Sequence, residues 1–252
     1  MRTYATAQNI GTRSQQCDAT AVYTHSTGAR AYVLLDGIGS SEDIRTWTLN
    51  AARQLARTAA RRGDAEAGLR AVYGVYAADP DRQDDYMRRW MPSAAAVVAV
   101  TAPGKPLSVA WCGDSRAYLL RRGLTLRLTN DHNLRRVYPP TATRPYSGNR
   151  NVITSYLGAP YTDEETDSRS DHPAIESDTV DNVSDCRLLL ASDGAYEPHE
   201  DAGHDLYAEL DGPDMRFAAR SFVDLAVSTS KAGDRSHPRA DNATVLIADL
   251  TR

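Results

Sequence analysis

Ala31-Tyr32-Val33-Leu34-Leu35-Asp36-Gly37-Ile38-Gly39-Ser40 sets an apolar run rich in strand formers directly against Asp-Gly, with a turn of Gly and Ser behind it. A carboxylate at the mouth of a buried strand is costly unless something meets its charge. The glycine beside it allows close approach of the backbone, which makes the Gly37 carbonyl a second candidate ligand. Asp-Gly alone specifies no more than a turn. The same grammar returns, however, at Leu188-Leu189-Leu190-Ala191-Ser192-Asp193-Gly194, and Asp241-Asn242-Ala243-Thr244-Val245-Leu246-Ile247 places an acid at the start of a third apolar run. Three strand-end acids far apart in the chain point to one shared cation site.

The 252 residues are 41% hydrophobic and 25% charged, which suits one large globular domain or two small ones. No apolar run approaches the roughly 18 residues of a membrane span. The opening Met1–Asn9 lacks an apolar core and reads as mature chain, not a secretion signal. Cys17, Cys112 and Cys186 are odd in number and scattered, which argues against a disulfide framework and for a reducing, cytoplasmic setting. A net charge of -4 argues against a nucleic-acid partner, which calls for a basic face.

Working outward from the Asp36 run, Tyr4 to Ile10 reads as an opening strand and Ala19 to Tyr23 as another, just after Asp18. The turn His25-Ser26-Thr27-Gly28 folds the chain back, so these strands pair antiparallel. Ser41, Glu42 and Asp43 cap a helix that runs to Arg61-Arg62-Gly63, and Asp64 starts a second that stops at Asp79-Pro80. Pro80 to Trp90 is highly charged and reads as a solvated connection. Ser93 to Thr101 is nearly all apolar, a strand covered on both faces. Leu107 to Cys112 and Arg116 to Leu120 follow, joined by the tight turn Gly113-Asp114-Ser115, and Arg121-Arg122-Gly123 forms a hairpin tip before Leu124 to Leu128. Thr129 to Asp171 is the least regular stretch, interrupted by several prolines, and reads as a loop-rich flap. Its Arg135, Arg136, Arg144 and Arg150 are candidate contacts for a phosphorylated partner. A strand at Arg187 to Ala191, a helix over roughly Met215 to Ser230 and a strand from Ala243 to Leu250 complete an α+β layered domain.

The chain resembles the PPM-type (protein phosphatase 2C) metal-dependent serine/threonine phosphatases of the compact bacterial kind. The blocks that carry this are Gly11-Thr12-Arg13 with Asp18, Leu35-Asp36-Gly37-Ile38-Gly39, Trp111-Cys112-Gly113-Asp114-Ser115-Arg116-Ala117-Tyr118, Thr129-Asn130-Asp131-His132, Asn151-Val152-Ile153-Thr154 with Leu157-Gly158, Leu190-Ala191-Ser192-Asp193-Gly194, and Asp241-Asn242-Ala243-Thr244. They follow the family's order across nearly the whole chain. The resemblance implies a single catalytic domain over 1–252, built as two stacked antiparallel β-sheets flanked by helix pairs, with the flap at about 129–171.

It also implies a phosphatase of phosphoserine and phosphothreonine in proteins, working through attack by a metal-bound hydroxide with two Mn2+ or Mg2+ ions. The substrate would be the phosphorylated product of a serine/threonine kinase, met in the cytoplasm by a monomeric signalling enzyme. Hydrolysis of a small phosphorylated metabolite and a non-catalytic binding or regulatory module remain as alternative readings. By resemblance, Asp36 bridges both metals, the Gly37 carbonyl binds the second, and Asp193 and Asp241 bind the first. Arg13 is the phosphate-binding arginine, Asp18 orients bound water, and Asp114 helps hold a third, weaker metal, with Glu197 a further candidate there. His132 reads as structural. Cys17 stands where many relatives carry an acid or glutamine near the second metal, and Ile38 where some carry a histidine. A thiol is a poor ligand for such hard ions, so Cys17 predicts weaker binding of that metal.

Overall fold

The structure, a computed structural model, describes residues 3–233 and 238–250. The strand-forming runs sort into two antiparallel sheets. One has the order β1 (Tyr4–Asn9), β10 (Ala243–Leu250), β9 (Cys186–Ala191), β6 (Arg116–Arg121), β7 (Leu124–Arg127). The other runs β2 (Ala19–Thr24), β3 (Arg30–Gly37), β4 (Ala94–Thr101), β5 (Leu107–Cys112), β8 (Glu176–Val180). The near-continuous apolar sequence of β4 is explained by its position: Ala94 to Val100 are all buried, one face toward the partner sheet and one toward a helix layer. Each fully buried Val or Leu of this kind contributes about 1.5–3 kcal/mol.

Helices cover both outer faces. On the β2–β8 sheet lie α1 (Glu42–Arg62) and α2 (Ala65–Ala77). Ser41 caps α1 by accepting from the Ile44 N–H, Glu42 and Asp43 occupy its first turn, and a left-handed Gly63 ends it. Its buried stripe is largely alanine (Ala51, Ala52, Ala56, Ala59), which lets the helix sit close on the sheet. The opposite face carries α6 (Asp193–Ala202), α7 (Leu206–Leu210) and α8 (Met215–Gly233). The result is the four-layer α-β-β-α sandwich anticipated from the motifs. Short helices α3 (Pro80–Gln83), α4 (Leu134–Val137) and α5 (Asp163–Ser170) lie in the connections. Among the described residues no helix is long and apolar enough to cross a membrane.

Two expectations need correction. The Gly113-Asp114-Ser115 turn does not close a hairpin: β5 and β6 belong to different sheets, and the turn carries the chain across the sandwich. Gly113 makes this possible with φ of 111° and with a backbone so close to β4 that a Cβ would lie 2.5 Å from that of Ala95. The Pro80–Trp90 segment is likewise more than a solvated connection. Its Arg82 is 1% exposed, donating to the Gly158 carbonyl at 2.8 Å and the Pro92 carbonyl at 2.7 Å. Its guanidinium lies over the rings of Trp47 and Tyr76, so this buried cation fastens the 151–160 stretch to the start of β4.

Candidate metal centre

Strand register assembles the acids. β2 and β3 pair with Ala19 opposite Leu35, so one step further Asp18 stands opposite Asp36. Like charges facing across an antiparallel ladder are destabilising unless something neutralises them. Asp36 itself pairs with Ala95 and Gly37 with Ala94, while the Ile38 N–H donates to the Ser93 carbonyl at 2.9 Å. No larger residue fits at Gly37, where a Cβ would come within 2.5 Å of the Cys17 carbonyl oxygen. On the other sheet β9 and β10 pair, so their ends bring Asp193, the first residue of α6, beside Asp241. The crossing turn adds Asp114, 3% exposed, its carbonyl accepting from the Tyr196 hydroxyl at 3.0 Å.

The charges in this cluster are poorly matched. Asp18 is 3% exposed, and neither of its carboxylate oxygens has a hydrogen-bond partner. Burial pushes its carboxyl up to about 7, with Asp193 adding to the effect. Burial likewise raises Asp36, where Asp18 is the strongest neighbouring charge, and Asp193, where Asp241 is. Asp114 is raised by burial and then by Asp193. The cation facing them is Arg13, ion-paired with Asp241 and within the field of Asp193 and Asp36. Arg13, Asp193 and Asp241 line one cleft of about 770 Å³, together with Glu197, Arg150 and Arg239.

Among the described residues no three His, Cys, Asp or Glu side chains close onto a single point as a complete protein cage would. The fit to a metal rests instead on the donor chemistry. Several carboxylates and a strand-end carbonyl carry charge that the protein leaves unmatched, and two buried oxygens have no partner. That set suits hard divalent cations that keep several waters. The expected second-metal neighbour behaves differently from an acid: Cys17 is fully buried, its thiol directed to the Ser41 carbonyl at 3.6 Å and its N–H held by Asn242 at 2.7 Å.

Residues 29–137 match the family described as Protein phosphatase 2C. Among solved structures, the chain superposes on the PPM Ser-Thr phosphatase MsPP of Mycobacterium smegmatis in complex with cacodylate, with 22% identity and a TM-score of 0.66 over 98% of this chain and 97% of that one. It is similar also to the Mycobacterium tuberculosis serine/threonine phosphatase PstP/Ppp (22% identity, TM-score 0.64, 99% and 98% covered). Stp1 of Staphylococcus aureus gives 20% identity and a TM-score of 0.67 over 100% and 96% of the two chains. The chain has the PPM phosphatase fold. No curated protein matches it in sequence. The family match and the shared fold together support a protein serine/threonine phosphatase, the class its motifs suggested.

Around this cluster lie several residues for which the sequence pattern points elsewhere or that it does not reveal. Two arginines of the 129–171 segment are committed within the protein: Arg136 forms a bidentate pair with Glu176 at 2.6 and 2.9 Å, and Arg150 joins Asp201 and Glu197. Arg135 donates to the Gly148 carbonyl, and Arg144 is exposed. His132 is fully buried, its Nε2 2.9 Å from Glu176 Oε2 and its ring stacked 4.1 Å from that of His172. Glu197 lies on α6 with its carboxyl pushed up to about 7 by burial and by the like charge of Asp193. Helix α5 was missed although Thr162-Asp163-Glu164-Glu165 is a capping box, and here both reciprocal bonds form.

Proposed function

We propose that this protein is a cytoplasmic, monomeric phosphatase that removes phosphate from phosphoserine and phosphothreonine in proteins, with residues 129–171 as a flap beside a single catalytic domain. The observation that carries the reading is the cluster of Asp18, Asp36, Asp193 and Asp241, four acids beside the arginine Arg13, which pairs with Asp241 and leaves both buried Asp18 oxygens without a partner. Asp36, Gly37, Asp193 and Asp241 would hold two Mn2+ or Mg2+ ions, with Asp114 toward a third. Phosphate monoesters hydrolyse extremely slowly without help. The bound cations would supply Lewis acidity, polarising the phosphoryl oxygens and acidifying an attacking water.

The rest falls to the chain. Arg13 offers a planar fork of donors suited to two phosphoryl oxygens, on a loop fixed by the Thr12 N–H to Ala240 carbonyl bond of 2.9 Å. Asp18, buried behind Asp36 with both oxygens otherwise unsatisfied, would accept from water held at the cluster. Ile38, exposed beside Gly37, has no proton to give, which leaves water as the proton donor to the leaving group. The test is turnover of a phosphothreonine peptide and of p-nitrophenyl phosphate in excess EDTA, then with added Mn2+. Activity is expected only with the metal. Full turnover in EDTA, or none of either substrate with Mn2+, would overturn the proposal.

A further inference from the structure

A second depression, of about 1050 Å³, begins where the catalytic cleft ends: Asn151 lines both. It is lined by Ile38, one residue from the proposed metal ligand Gly37, and by Tyr156, Tyr161 and Arg169. Large apolar side chains stand open to solvent around it: Trp90 is 74% exposed, Val152 42% and Ile38 41%. Such side chains scattered singly need no explanation, but a set of them on one groove marks a binding surface.

The charge of the groove identifies the occupant. Arg88, Arg89 and Arg169 line it together with Asp43 and Asp85. Arg88 is ion-paired with Asp85, whereas Arg89 and Arg169 make no ion pair among the described residues. The Arg169 guanidinium lies 4.2 Å above the Tyr161 ring, and Arg88 approaches the same ring at 5.4 Å, so aromatic faces hold the cations in place. On a chain of net charge -4, this is a locally cationic and aromatic trough leading away from the catalytic acids. Tyr, Trp and Arg are also the side chains that dominate affinity at protein interfaces.

We infer that this groove receives the polypeptide flanking the phosphorylated residue of the substrate, seating an apolar side chain against Ile38, Val152 and Trp90 and acidic side chains against Arg89 and Arg169. The inference rests on the phosphatase reading and narrows it to phosphoproteins with acidic and apolar sequence around the phosphosite. Trp90, Arg89 and Arg169 then set specificity without touching the reacting atoms.

Two phosphothreonine peptides test it with the full chain and Mn2+: one flanked on both sides by Leu, Asp and Glu, the other by Ala alone. The wild-type protein should show a KM about tenfold lower for the first. The double variant Arg89→Glu, Arg169→Glu and the single variant Trp90→Ala should abolish most of that difference, with kcat and p-nitrophenyl phosphate turnover unchanged. Anisotropy of the fluorescein-labelled acidic peptide without phosphate gives a readout independent of turnover: it should bind wild type and be lost from the double variant. Equal KM for both peptides in wild type, or parallel losses on every substrate, would overturn the groove while leaving the phosphatase intact. Flank-dependent binding with no turnover would uphold the groove and overturn the phosphatase reading.

Discussion

Two buried acidic regions of this molecule make a useful pair. On the β8 side, Glu176 accepts from Arg136 twice and from His132 once, and the His132 Nδ1 accepts in turn from the Gly113 N–H at 3.4 Å. Burial would raise the Glu176 carboxyl, but those donors overcome it and pull it down to about 2. At the mouth of the sandwich, Asp18, Asp36 and Asp193 are raised by burial, and neighbouring acids reinforce the shift. Both regions take charge out of water, and only one supplies its own countercharge. A matched network is scaffold, because removing one partner strands the others. An unmatched one is destabilising by itself, and a bound cation of the kind proposed would offset it.

The sharpest way to break the comparison is to neutralise one acid in each region. Asp36→Asn removes a carboxylate opposite Asp18, so the metal-free protein should become more stable, by about 1–2 kcal/mol, while kcat/KM falls about a thousandfold. Glu176→Gln should do the reverse, costing about 2–3 kcal/mol because Arg136 loses its countercharge and one of the two accepting oxygens becomes an amide donor, with kcat changed by less than about fivefold. Denaturant unfolding in EDTA and turnover with Mn2+ read the two quantities separately. Loss of stability from Asp36→Asn would show that its charge is already satisfied by the protein.

The contrast also explains what was legible in the sequence. The candidate acids Asp36, Asp193 and Asp241 sit at the ends of apolar runs, where an Asp stands out, whereas Asp18 and Asp114 are legible only through the family resemblance. Matched networks leave no such mark. Glu176 is an ordinary acid in the polar strand Glu176–Val180, and its partners come from 40 and 44 residues away, a pairing that local pattern does not encode. Arg82 is hidden for the same reason, since it sits in a run of charges yet binds two backbone carbonyls. The Gly113–Ser115 turn was legible as a turn, but not as a crossing between sheets, because tight turns look alike whichever strands they join.

Acid titration sharpens the pair further. Burial lowers His132 from its ordinary value of 6.5 to about 4, because the folded protein resists charging the ring. Below 6.5 the unfolded chain takes up a proton that the folded one refuses, so stability is lost as pH falls from 6.5 to 4 and levels off beneath. The interval corresponds to about 3 kcal/mol, or roughly 10 °C in Tm for a domain of this size. His132→Gln lacks this leg, so the Tm difference between wild type and variant should shrink by about that amount between pH 7 and pH 4. The cluster at the sandwich mouth has the opposite sign: its raised carboxyls favour the metal-free fold at low pH and lose that contribution as pH rises through about 7. A pH-independent difference between wild type and His132→Gln would mean that the ring is charged or hydrated in the native state.

Arg150 stands on the border between the two regimes and gives the smallest and most discriminating effect. Its guanidinium grips Asp201 at 2.7 Å and Glu197 at 3.0 Å, which is scaffold behaviour, yet Glu197 also feels Asp193 and all of them line the candidate cleft. Asp201 is 56% exposed, so the Asp201 pair is worth at most about 1 kcal/mol and its loss should lower Tm only slightly. The electrostatic consequence in the cleft is more specific. Arg150→Ala deletes a positive charge beside Glu197 and leaves the pocket around Asp193 more negative. Divalent cations should then bind more tightly, with the Mn2+ concentration for half-maximal activity falling about two- to fivefold at low ionic strength and less at high salt. If Arg150 instead contacts the phosphoryl group, the metal requirement will stay fixed and KM will rise for the peptide and p-nitrophenyl phosphate alike. A Mn2+ titration at two salt concentrations, run beside KM for both substrates, separates an arginine that tempers the acids from one that binds what they act on.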